Sequence, residues 1–190
     1  MSNKIQVNEE IYTHEYLWRS STKLLDLATD DSYHYLMPSL LMSYLAFEAF
    51  INFCGYAVFP ETWKNEKEHF KGKGIEGKIE EIVDLVPEFK WNKGTPPYQT
   101  VRKIANYRDM MAHGKVVASS YTAEEKEIGS HFRYDHDWDK YLTREFVKKA
   151  RDCIQSFSEL LLIELREVSD HPHLIFKAYE GSLASANGHP

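Results

Sequence analysis

Between Ser32 and Pro60 the only formally charged residue is Glu48. A run that long and that apolar has two solvents open to it, lipid or the interior of a helical protein. Its length suits a membrane span, but Pro38, Asn52, several serines and tyrosines and a carboxylate near its middle would be costly in hydrocarbon. The run is therefore expected to be the central helix of a soluble bundle, with no membrane partner. The opening MSNKIQVNEEIYTHEY has no apolar stretch flanked by basic residues and does not read as a secretory signal, so a cytoplasmic location is expected.

The rest of the chain reads as helices that could surround such a core. Ile11, Leu17, Trp18, Leu24 and Leu25 recur at about seven-residue spacing over residues 9 to 29, which predicts a first amphipathic helix. Pro38 marks the first turn of the second helix or a kink in it. The segment PETWKNEKEHFKGKG is polar and reads as a loop with one short helical piece. Ile79, Ile82, Val83 and Val86 predict a third helix over roughly Glu76 to Val86, broken by WNKGTPPYQ. A fourth helix is expected from Pro97 or Tyr98 to Gly114, a residue suited to the C′ position. Phe146, Val147, Ala150, Ile154, Phe157, Leu160, Leu161 and Leu165 fall on one face of a fifth helix.

These elements predict an all-α fold: an up-and-down bundle of four to five helices, with an irregular or hairpin insertion over 116 to 138 before the last long helix. At 190 residues one domain is expected, over 1–170, followed by a C-terminal stub and mobile tail over 171–190. Cys54 and Cys153 lie in apolar runs far apart, as buried free thiols would. The net charge of −6 argues against a broad non-specific nucleic-acid surface, because such affinity comes from phosphate neutralisation.

Two patterns mimic ligand sites. Residues 72 to 78, GKGIEGK, match both GxGxxG and GxxxxGK, yet no buried strand precedes them, and Ile79 stands where a phosphate loop needs Ser or Thr. They read as a flexible, lysine-bearing start to a helix. His131, Asp135, His136, Asp137 and Asp139 in HFRYDHDWD, and His171 with His173, read as solvated segments, so no metal and no cofactor is expected.

The charges on apolar faces carry more information. Arg108 sits in the stripe Val101, Ile104, Ala105, Arg108, Met111, Ala112, and Glu48 in the stripe Leu41, Tyr44, Leu45, Glu48, Ile51, Asn52. A lone buried charge is costly, so the two are expected to pair. His113 lies five residues after Arg108, about 140° around the helix, so two copies related by a twofold could bring Arg and His into one cleft. Asp109 is four residues before His113, on its face, and could orient the imidazole, a group able to exchange protons near neutral pH.

The stretch RDMMAH at 108–113 resembles the Rx4-6H motif of the HEPN family, in which a polar residue commonly follows the arginine, as Asp109 does here. The preceding SLLMSYLAFEAFINF is similar to the second helix of that family, which often carries an acidic residue where Glu48 stands. The likeness covers residues 9 to 168 in the order and spacing of helices. It implies a dimeric HEPN-like bundle and a metal-independent endoribonuclease at paired motifs, leaving 2′,3′-cyclic phosphate and 5′-hydroxyl ends. By that resemblance Arg108, His113 and Asp109 are the catalytic residues, Glu48 supports Arg108, and Lys115 and Tyr107 touch substrate. It also implies a homodimer, RNA as partner, and a toxin or defence component restrained by an inhibitory protein. The alternative it leaves open is a non-catalytic HEPN-like dimer that binds nucleotide, RNA or a protein partner.

Overall fold

The computed structural model describes residues 6–10, 12–30, 32–86, 88, 89, 91–114, 136, 138–180 and 183–187, with backbone alone for the first and last of these. Among them are seven α-helices: α1 Thr13–Leu27, α2 Tyr33–Val58, α3 Pro60–Lys64, α4 Glu66–His69, α5 Gly74–Asp84, α6 Pro96–Ala112 and α7 Arg144–Val168. The fold is an all-α bundle, and α2 is its axis, packed against α1, α3, α5, α6 and α7. Leu36, Leu40, Tyr44, Phe47, Phe50, Ile51 and Cys54 line the buried side of α2, and Leu41, Met42, Leu45 and Phe53 on the other side are partly buried, so its sequence shows no polar face. It is the one helix among the described residues long and apolar enough to cross a membrane, and here protein covers its buried faces.

Local chemistry sets the ends of the elements. Thr143 accepts a hydrogen bond from the Phe146 amide at 3.1 Å and caps α7. The WNKGTPPYQ break is a turn in which Asn92 Oδ1 accepts from the Gly94 amide at 2.8 Å, followed by Pro96 and Pro97 in the first turn of α6. The polar segment after α2 holds two short helices, α3 and α4, where one was expected. Pro38 lies inside α2 beyond its first turn. Arg144, at the start of α7, donates to the carbonyls of Leu25 at 2.7 Å and Ala28 at 2.5 Å, satisfying the exposed end of α1.

Past residue 170 the chain stays packed against the bundle. A short 3-10 helix, Pro172–Ile175, and the turn after it place Leu174, Ala178 and Tyr179 in the core. Tyr179 adopts φ 65° and buries its ring against Trp18, with 4.1 Å between centroids. Within the segment 171–190 expected as stub and tail, β2 Leu183–Asn187 pairs antiparallel with β1 Gln6–Glu10, Gln6 opposite Asn187. Neither segment alternates strongly enough to announce a strand, because the pairing joins the two ends of the chain. The 116–138 insertion falls largely outside the described residues.

A buried cation ties three helices together. Arg151 of α7 is 7% exposed and has no carboxylate in contact among the described residues. Its guanidinium donates to the hydroxyls of Ser21, of Ser43 at 3.2 Å and of Thr22 at 2.7 Å, and lies 4.0 Å from the centroid of the Trp18 ring. Burial pulls its pKa down to about 10, so it remains charged at neutral pH. Arg151→Ala would leave three hydroxyls short of a donor and remove the cation that covers the Trp18 ring. Equilibrium urea unfolding is expected to show a loss of about 3 kcal/mol.

His14 is buried among Phe50, Phe53, Tyr12 and Tyr179, and burial lowers its pKa from 6.5 to about 4. Above pH about 6.5 it is neutral folded or unfolded. As pH falls from 6.5 through 4, the unfolded chain gains a proton that the folded chain refuses, so stability drops by roughly 3 kcal/mol over that window. His14→Phe is expected to flatten that part of a pH series of urea midpoints.

Candidate functional site

Arg108 and Glu48 meet where α6 crosses α2. Arg108 Nη2 donates to Glu48 Oε1 at 3.0 Å, the contact expected of two opposite charges on two apolar faces. Both side chains are half-buried, at 34% and 25% exposed, so the pair sits at the rim of the core. Nη1 donates to Asp109 Oδ1 at 2.5 Å, and the guanidinium lies 5.5 Å from the centroid of the Tyr44 ring. Burial opposes its charge, but Glu48, Tyr44 and Asp109 outweigh that and hold its pKa above the ordinary value. Burial, helped by the Glu48 carboxylate, pushes the Tyr44 phenol up. Arg108 Nε is buried without an acceptor among the described residues.

The buried face of α6 differs from the expected stripe. Tyr98, Val101, Ile104 and Tyr107 face inward, while Ala112 is exposed and Arg108 flanks the buried face. The large Tyr107 ring wins the inward position and packs edge-on against Tyr141 at 5.8 Å between centroids. Tyr107, expected by the resemblance to touch substrate, is 1% exposed. Burial, then Asp139, pushes its phenol up to about 12, and its hydroxyl has no hydrogen-bond partner among the described residues.

His113 is exposed at the C-terminal end of α6, where its amide donates to the Asp109 carbonyl at 2.9 Å. Among the described residues no side-chain contact joins it to Asp109, whose carboxylate binds Arg108 instead. Lys115 and, of the HFRYDHDWD segment, His131, Asp135 and Asp137 lie outside the described residues. His136 and Asp139 form a local turn, the His136 amide donating to Asp139 Oδ2 at 2.8 Å.

Glu48 also edges a cleft of about 310 Å³ between α2, α4 and α5, lined further by Asn52, Glu66, Lys67, Phe70, Gly74, Ile75 and Lys78. Lys78 Nζ donates to Asn52 Oδ1 at 2.7 Å and Glu66 Oε2 at 2.9 Å, and Trp63 Nε1 donates to the same Asn52 oxygen at 3.4 Å. The lysine belongs to GKGIEGK, which no strand precedes: α4 and a turn lead into it, with Gly72 and Gly74 at positive φ. Sequence reasoning left Lys78 and Asn52 out of the site. The available signal was Asn52 one helical turn after Glu48 on the same stripe.

No family model, curated protein or solved structure matches the chain. The functional reading therefore rests on its residues. Because the Tyr107 hydroxyl is buried and unpartnered, Tyr107→Phe is expected to leave thermal stability unchanged or raise it by up to about 1 kcal/mol. A loss of stability above that size would show that the hydroxyl has a structural partner.

Proposed function

We propose that this chain is a HEPN-like, metal-independent endoribonuclease that works as a homodimer. The observation that carries the reading is the placement of Arg108. It is a cation held by Glu48 at the rim of the bundle, beside an open cleft, with His113 exposed five residues further on, at the C-cap of the same helix. Arg108 and His113 point apart within one chain, so a twofold that packs α6 ends together would unite one chain's arginine with its partner's imidazole.

In such a cleft the ribose 2′-oxygen attacks the adjacent phosphorus and the bond to the 5′-oxygen breaks, leaving a 2′,3′-cyclic phosphate and a 5′-hydroxyl. One His113 takes the 2′-hydroxyl proton and the other gives a proton to the departing oxygen. Arg108 balances the charge that builds on the phosphorane, and Glu48 keeps it in place. A toxin or defence role, held in check by a protein partner, fits an enzyme of this chemistry.

A second reading has an observation of its own. Both terminal nitrogens of Arg108 are already engaged by carboxylates, Glu48 and Asp109. A non-catalytic HEPN-like dimer that binds nucleotide, RNA or a protein would keep them so.

The test is incubation of end-labelled single-stranded RNA and tRNA with the protein in EDTA, beside Arg108→Ala and His113→Ala. Cyclic-phosphate ends are expected from the unsubstituted chain, and a fall of about a hundredfold or more in each variant. No cleavage from a folded dimer, or equal cleavage by His113→Ala, would sink the catalytic reading.

A further inference from the structure

The cleft beside Glu48 is neither a basic groove nor an apolar slot. Its charged lining is two carboxylates, Glu48 and Glu66, with two ammonium groups, Lys67 and Lys78, so it offers a phosphate chain no net attraction. Its hydrogen-bonding capacity is specific. Lys78 has given two of its three N–H donors to Asn52 and Glu66, which leaves one. Beside it, Glu66 Oε1 takes no hydrogen bond among the described residues, and Oε2 keeps a lone pair beyond the one Lys78 uses. The two side chains are 17% and 37% exposed, anchored yet reachable. Phe70 and Ile75 supply apolar wall.

A ligand for this wall is flat, uncharged at the end that enters, and richer in donors than in acceptors. Among the four RNA bases only guanine presents two donors, N1–H and N2–H, beside one acceptor, O6, on its pairing edge. A carboxylate can accept both donors in parallel, and the remaining Lys78 N–H reaches O6. The volume of about 310 Å³ lies at the lower end of the ~300–1,000 Å³ typical of ligand clefts, which suits one nucleoside and not a duplex. Glu48 joins the cleft to Arg108, so a base held here lies next to a phosphate at the arginine.

We propose that this cleft reads a guanine neighbouring the scissile phosphate, with Glu66 and Lys78 as the specificity-determining pair. The place of that nucleotide in the reaction rests on the ribonuclease reading, whereas the recognition itself needs no cleavage. Isothermal titration of the protein with the 3′-monophosphates of guanosine, adenosine, cytidine and uridine separates the two. The guanosine nucleotide is expected to bind about tenfold tighter than the others. Glu66→Gln and Glu66→Asp level the four affinities, the second by withdrawing the oxygens with their charge intact, and Glu68→Gln, exposed on the same helix, preserves the preference. Equal binding of all four, no binding, or a guanine preference that survives both Glu66 variants overturns the proposal. A guanine preference in a protein that cleaves no RNA leaves the subsite standing and removes the ribonuclease reading; cleavage without base preference does the reverse.

Discussion

The bundle is organised around a guanidinium whose hydrogen-bond partners, among the described residues, are hydroxyls and not carboxylates. Arg151 is covered by the Trp18 ring on one side and by the hydroxyls of Ser21, Thr22 and Ser43 at its edge, so α1, α2 and α7 are all held to one point. Hydroxyl lone pairs can stand in for an anion because each hydroxyl is a dipole already fixed by a backbone carbonyl: Ser43 donates to the Ser39 carbonyl at 2.9 Å and Thr22 to the Trp18 carbonyl at 3.0 Å within their own helices, and Ser21 donates across to the Ser39 carbonyl at 2.7 Å. Trp18 passes the constraint on, since its other face carries Tyr179, whose hydroxyl meets Ser158 at 2.9 Å. The C-terminal segment is in this way packed into the core that the N-terminal helix begins.

That fixed point also decides where the candidate site lies. Ser39 and Ser43 occupy one side of α2, and Glu48 lies five residues past Ser43, about 140° around the helix. With the serines locked against α1 and α7, Glu48 and Asn52 must face α6 and α5. The carboxylate then meets Arg108, and the amide meets Lys78. The positions of the polar groups in the cleft follow from a contact on the far side of the central helix.

What could be read in the sequence was whatever a single element or an obvious mismatch reveals. The face of α7, the proline start of α6 and the long apolar α2 are local patterns, and they set the helical fold class. Glu48 and Arg108 were legible as partners because each broke an apolar stripe with opposite charge. Arg151 broke the face of α7 in the same way, between Val147 and Ile154, yet its partners are serines and a threonine on other helices, and no complementary charge pointed to them. Tyr107 and Arg108 are neighbours 100° apart, and periodicity alone gave the inward position to the wrong one. The pairing of β1 with β2 and the burial of Tyr179 depend on both chain ends meeting, which no local window contains.

The two arginines on apolar faces also show why only one of them is suited to chemistry. At 7% exposure Arg151 is sealed, and opening it would strip three hydroxyls and an aromatic face of their partner. Arg108, at 34%, is bound unequally at its two ends. Glu48 is half-buried and holds one nitrogen across two helices, whereas Asp109 is its chain neighbour, 59% exposed, and pairs through a surface contact of the kind worth little in water. A phosphodiester is a bidentate partner for a guanidinium, and its negative charge grows as the phosphorane forms. On the proposed reading it displaces Asp109 and leaves Glu48 in place, so the weak contact keeps the arginine occupied between substrates while the stronger one keeps it aimed.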